Sequence, residues 1–249
     1  MILITGGSGG IGEAAARGFA AQKRNLILVA RNKDKLDALA ASLKKEYGVE
    51  VHAFVLDMAK TQDIEKFVAA HAALLEKVEV LINNAGVGRG LEPIQEGKLS
   101  EWDEMIDTNV KGLLAITRAI LPILIKKRRG HIVNLGSAAG FYTYPKGNVY
   151  CATKAAVRAL TEALRLDLSG TGVRVTEVSP GMVETGFSVA RLGDVAKAKK
   201  VYEGMTPLTA EDVAEVILWC VNRPAHVNIQ EVIMYPTDQA STTIVHRRT

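Results

Sequence analysis

The sequence predicts an α/β fold: a single-domain, Rossmann-type, doubly wound parallel sheet of seven strands with helices on both faces. Short β-rich runs alternate with longer helical patterns from end to end. Runs such as Leu26-Ile27-Leu28-Val29-Ala30 are apolar without a break, as strands covered on both faces must be. A glycine-rich loop follows the first run and opens the first helical pattern.

The elements follow in order. Ile2-Leu3-Ile4-Thr5 reads as the first strand, and further strands are expected at 25–30, 51–56, 78–82, 131–136, 173–178 and 229–235. Between them, apolar residues recur at helical spacing over 11–22, 33–47, 62–75, 100–127, 149–169 and 210–221. Alternation of this kind implies parallel pairing, with each helix carrying the chain back over the sheet. No linker or repeat divides the 249 residues, so 1–249 is taken as one domain. The least regular stretches, 141–148 and 182–206, fall after strands and are expected to shape the substrate pocket.

Composition narrows the function. A net charge of +4 is spread among acidic residues and does not call for nucleic acid, and Lys126-Lys127-Arg128-Arg129 suits a solvated helix end. Cys151 and Cys220 are too few for a disulfide framework and suit a reducing compartment, the cytoplasm. His52, His71, His131, His226 and His246 show no metal-ligand spacing, so no catalytic metal is expected. No signal peptide is read before Ile2, and the oily stretch 113–125, broken by Arg118 and Pro122, is too short for a span of ~20 residues. No membrane partner is expected.

The chemistry gathers at strand ends. In Thr5-Gly6-Gly7-Ser8-Gly9-Gly10-Ile11-Gly12, glycines permit a tight turn and let backbone N–H groups approach a pyrophosphate at a helix N-terminus. Ala30 stands where an NAD-selective fold places an acid, and Arg31 beside it suits a 2′-phosphate, favouring NADP(H). Asp57, with Met58 beside it in the cofactor set, is placed to accept from an adenine amino group or to cap a helix. Asn83-Asn84-Ala85-Gly86 combines amides and small residues that brace a turn and line an adenosine site.

Tyr150 and Lys154 are four residues apart on one helix face. At ~4 Å and an effective dielectric constant of ~20, an ammonium favours a phenolate by about 4 kcal/mol, or about three pKa units before desolvation opposes it. Ser137, closing the fifth strand, is placed to bind a substrate oxygen. Asn109 lies inside a long helix where asparagine is disfavoured, and a water bound at a local kink would give it a reason to be there.

Taken together, the 5–12 loop, Asn83-Asn84-Ala85-Gly86, Asn109, Ser137, Tyr150-x3-Lys154 and Pro180-Gly181 resemble the short-chain dehydrogenase/reductase family over nearly the whole chain. The resemblance implies that Tyr150 is the general acid/base, Lys154 lowers its pKa and holds the nicotinamide ribose, Ser137 orients the substrate carbonyl, and Asn109 anchors a relay water. It also implies nicotinamide and phosphate contacts from Val183 and Thr185, with Ile11 near the ring.

A narrower likeness, through Gly147-Asn148-Val149-Tyr150, Gly181-Met182-Val183-Glu184-Thr185-Gly186-Phe187-Ser188, Pro224-Ala225-His226-Val227-Asn228-Ile229 and Pro236-Thr237-Asp238-Gln239-Ala240-Ser241, is to the NADP-dependent 3-hydroxy acid dehydrogenases. It implies a homotetramer acting on L-allo-threonine, L-serine or 3-hydroxypropionate/malonic semialdehyde, with the tail 236–249 contacting a neighbouring subunit. Arg89 and Lys146 depart from that branch, and either is a candidate for binding a substrate carboxylate. A broad NADPH carbonyl reductase and a non-catalytic NADP-binding regulator remain alternatives.

Overall fold

A computed structural model of the chain describes residues 1–248. Its strands β1 (Ile2–Thr5), β2 (Leu26–Ala30), β3 (Val51–Val55), β4 (Val80–Asn83), β5 (Gly130–Leu135), β6 (Val173–Pro180) and β7 (Glu231–Met234) pair in parallel in the order β3-β2-β1-β4-β5-β6-β7. The order reverses between β1 and β4, and this opens a crevice beyond their carboxyl ends.

Side-chain alternation assigns the core. Ile2, Ile4, Leu26 and Leu28 face one layer with Phe19, Leu36, Leu43 and Ile217, which belong to α1 (Gly10–Ala21), α2 (Lys33–Tyr47) and a late helix, Ala210–Val221. Leu3, Ile27 and Val29 face the other layer with Ile64, Phe67, Ile116, Ile120 and Leu124. Both faces are therefore covered, as the unbroken apolar strands require.

Four expectations change. The pattern read over 62–75 is two helices, α3 (Thr61–Ala70) and α4 (Ala72–Leu75), because His71 leaves helical geometry with its ring centre 4.2 Å from that of Phe54 and 5.1 Å from that of Phe67. The pattern over 100–127 is α5 (Leu99–Ile106), a π-helical turn (Asp107–Gly112) and α6 (Leu113–Lys127). Together these make a 29-residue helical run, Leu99–Lys127, long and apolar enough to cross a bilayer, which corrects the expectation from 113–125 alone. Here Ile116, Ile120 and Leu124 are instead fully buried against the sheet.

The region 182–206 contains α8 (Phe187–Leu192) and α9 (Val195–Val201), after α7 (Asn148–Asp167) and before α10 (Ala210–Val221). Gly193 at φ 64° ends α8, and the Asp194 carboxylate accepts from the Ala196 and Lys197 N–H groups to start α9. The tail folds back onto its own chain: Gln239 Oε1 accepts from Met182 N–H at 2.8 Å, and Asp238 accepts from Thr206 N–H at 2.7 Å. Thr249, the last residue of that stretch, lies outside the described residues.

His131 on β5 is 1 % exposed and bonds the Thr176 hydroxyl at 2.7 Å; burial, helped by Arg174, pushes its pKa down to about 3. The unfolded chain protonates this imidazole below about pH 6.5, whereas the folded chain resists until about pH 3. The resulting stability is fully present above pH 6.5 and is lost as pH falls, by up to ~1.4 kcal/mol per pH unit from this group. Urea melts between pH 6 and pH 4 should show that decline, with a shallower slope in His131→Gln.

Candidate active site

A cleft of about 730 Å³ lies beyond the carboxyl ends of β1, β4, β5 and β6. Its first wall is the glycine loop. Gly6 and Gly10 occupy the left-handed region at φ 64° and 52°, which favours glycine. Gly6, Ser8, Gly10 and Ile11 line the cleft, and no side chain caps the α1 N-terminus. Gly12 lies behind it, where a Cβ would collide with the Gly6 carbonyl. Asn84 braces the turn by donating to Thr5 O at 2.9 Å and Gly6 O at 3.1 Å.

Arg31 reaches the outer end together with Asn32 and Lys35. It is not the unpaired cation expected: Nη1 lies 3.3 Å from Glu104 Oε1, although the side chain stays 54 % exposed. Besides Gly12, three predicted cofactor residues do not line the cleft. Asp57 accepts from Ala59 N–H at 3.1 Å as a local cap, Met58 is buried, and Asn83 turns into the core to donate to Thr117 and Asn134. Strand alternation explains Asn83, since adjacent residues at a strand end face opposite ways. Ala85, Gly86, Pro180, Gly181, Val183 and Thr185 do line it.

Ser137, Tyr150 and Lys154 meet on the inner wall. Lys154 is 7 % exposed and donates to Leu135 O at 2.8 Å, which pins α7 to the end of β5. Burial pushes its pKa down to about 8, with Glu177 opposing, so the ammonium persists at neutral pH. Its Nζ is 6.0 Å from the centre of the Tyr150 ring. Burial raises the Tyr150 pKa well above the ordinary phenol value and Tyr144 adds to this, while Ser137 and Arg191 pull it down. The desolvation left open by the sequence argument therefore wins here, and the phenol is neutral at pH 7.

Asn109 stands behind this wall. Its Oδ1 accepts from Val87 N–H at 2.7 Å, and its Nδ2 donates to Val87 O at 2.8 Å and Thr153 Oγ1 at 3.0 Å. Both amide hydrogens are thus used within the protein. The expected kink is present as the π-helical turn, which carries Asn109 inward.

Of the two candidate carboxylate binders, Arg89 is committed to Glu104 through two 2.7 Å bonds, and Lys146 does not line the cleft. Sequence reasoning missed Arg191 on α8, whose guanidinium carbon lies 5.0 Å from the Tyr150 ring centre. Phe187 of the same helix packs against that ring at 5.6 Å. The only sequence signal was their place in a segment assigned to the pocket.

Fold and site together define an oxidoreductase of the dinucleotide-fold type. The chain belongs to the short chain dehydrogenase family, whose model matches residues 1–194. It is 45 % identical over 250 residues to an NADP-dependent 3-hydroxy acid dehydrogenase of Salmonella typhi, covering 99 % of each chain. It is also 46 % identical over 242 residues to sulfoacetaldehyde reductase 2 of Chromohalobacter salexigens, covering 96 % of this chain and 95 % of the relative. A closed form of serine dehydrogenase complexed with NADP+ superposes with a TM-score of 0.92 at 41 % identity, covering 100 % of this chain and 99 % of that one.

Asn109→Ala should strand the buried Val87 N–H and C=O. The expected cost is about 2–4 kcal/mol of unfolding free energy, read from urea denaturation.

Proposed function

We propose that this chain is an NADP-dependent oxidoreductase that interconverts a small 3-hydroxy acid and the corresponding carbonyl compound. The cleft suits the dinucleotide in three respects. Its glycine turn leaves space at Gly9, where a Cβ would meet nothing within 4 Å; the N-terminus of α1 faces the cleft without a side-chain cap; and Arg31 and Lys35 stand at the outer end. Gly6, Ser8, Gly10 and Ile11 would hold the pyrophosphate side, Arg31 the 2′-phosphate, and Val183, Thr185 and Lys154 the nicotinamide half. Bound there, NADP supplies the hydride donor or acceptor.

The observation that carries the reading is the meeting of Tyr150, Ser137 and Lys154 on one wall of an acid-free cleft. In the direction of reduction, the neutral Tyr150 phenol donates its proton to the oxygen that develops negative charge. Ser137 orients that oxygen: its hydroxyl accepts from Ala139 N–H at 3.2 Å, and as a donor it has a long 3.5 Å bond to Pro180 O to give up. Lys154, fixed by Leu135 O, keeps a positive charge beside the phenol and stabilises the phenolate left behind. Oxidation runs the same transfers backwards. General acid–base catalysis of this kind contributes ~10²- to 10⁴-fold. Substrate identity is supported by the relatives named for hydroxy acids and serine.

A substrate panel followed by nicotinamide absorbance tests the assignment: L-allo-threonine and malonic semialdehyde should turn over faster than aromatic ketones, and the reverse order would mark a broad carbonyl reductase. Tyr150→Phe should lower kcat at least 100-fold while NADPH still binds; undiminished turnover would remove Tyr150 from the mechanism. Because Arg31 must exchange Glu104 for a phosphate, Arg31→Ala should weaken NADPH more than NADH by roughly 10-fold or more, measured by fluorescence titration.

A further inference from the structure

Basic side chains line the cleft and no acidic one does. Arg31 and Arg89 both pair with Glu104, Lys154 is held by the Leu135 carbonyl, and Lys35 is exposed to solvent at the outer end. Arg191 differs. Its Nε donates to Gly90 O at 3.1 Å and its Nη1 to the Tyr144 hydroxyl at 2.6 Å, both neutral acceptors, and among the described residues no carboxylate pairs with it. The guanidinium is half-buried and lies 5.0 Å from the Tyr150 ring centre and 5.6 Å from that of Tyr144. The facing loop is cut back to admit it: a Cβ on Gly88 would stand 2.6 Å from Phe187 and 3.3 Å from Arg191 Cδ.

We propose that Arg191 is the specificity-determining residue that binds the terminal oxyanion of the substrate, a carboxylate or a sulfonate, while Tyr150 addresses its hydroxyl or carbonyl oxygen. This inference rests on the hydroxy-acid reading above and assigns its anion to one side chain. A cation half-withdrawn from water with only neutral partners is an incomplete ion pair, and a small anion completes it. The two aromatic rings hold the guanidinium plane, so little freedom is lost when the anion arrives. Two- and three-carbon hydroxy acids carry the anion within a few bonds of the reacting oxygen, which suits a guanidinium 5.0 Å from the Tyr150 ring centre. Longer or uncharged alcohols leave the guanidinium without its counter-ion.

The test compares kcat/KM, with NADP+, for 3-hydroxypropionate, 2-hydroxyethanesulfonate and methyl 3-hydroxypropionate in the unsubstituted enzyme, Arg191→Gln and Arg191→Lys. In Arg191→Gln the acid-over-ester ratio should fall roughly 10- to 150-fold, mainly through KM, and Arg191→Lys should recover part of it. The better of the carboxylate and the sulfonate identifies which oxyanion the site takes. Equal loss for acid and ester, or an unchanged ratio in both variants, overturns the role of Arg191 and leaves the hydroxy-acid reading standing. Absence of any preference for acid over ester in the unsubstituted enzyme overturns both. NADPH titration of each variant reports that the cofactor half of the cleft remains folded, and Arg191→Lys decides the matter if Arg191→Gln does not fold.

Discussion

Lys154 places an ammonium on the Leu135 carbonyl at 2.8 Å, almost out of contact with solvent. Burying a charge in this way costs several kcal/mol unless hydrogen bonds and neighbouring charge compensate for it. The bond fixes the rotation of α7 against the end of β5. Tyr150, one helical turn earlier, is thereby set opposite Ser137, which follows β5 by two residues. Loss of that register would leave the same residues in the sequence without the same wall.

Neighbouring small residues make the contact available. A Cβ on Gly140 would stand 2.7 Å from the Lys154 carbonyl, and one on Gly136 would collide with the Glu177 carboxylate. Glu177 is itself 1 % exposed, and burial raises its pKa above the usual carboxylate range, with Ser179 and Lys154 opposing. A buried acid and a buried base therefore interact here, each moderating the desolvation of the other. This gives the site its electrostatic character: Tyr150 stays protonated, while Lys154, held by the Leu135 carbonyl, keeps its charge.

The central strands β1, β2 and β4 were legible because a strand covered on both faces is apolar nearly throughout, whereas β3, β5, β6 and β7, which carry His52, His131, Arg174 and Glu231, were placed by short β-rich runs between helical patterns. Helix interruptions were less legible. The apolar periodicity of 100–127 does not mark the π-helical turn; its one sequence signal was Asn109, disfavoured inside a helix, which bonds the backbone of Val87, 22 residues away. Ser137, Tyr150 and Lys154 were recoverable because strand ends and helix spacing are local properties. Arg31 was read without its partner, since Glu104 lies 73 residues further on. Asn83 was assigned to the wrong side of its strand end. Arg191 had no local signature, because α8 is six residues long and its importance comes from which ring it faces.

The returning tail alters how the chain's extremities should be regarded. Gln239 is only 6 % exposed and holds Met182 N–H beside Gly181 at the wall of the cleft, while Thr242, also lining it, donates to Thr143 O. A protein engineer who adds an affinity tag or trims a dozen residues there is editing the ceiling of the cleft, even though Ser137, Tyr150 and Lys154 are all encoded far upstream of Gln239.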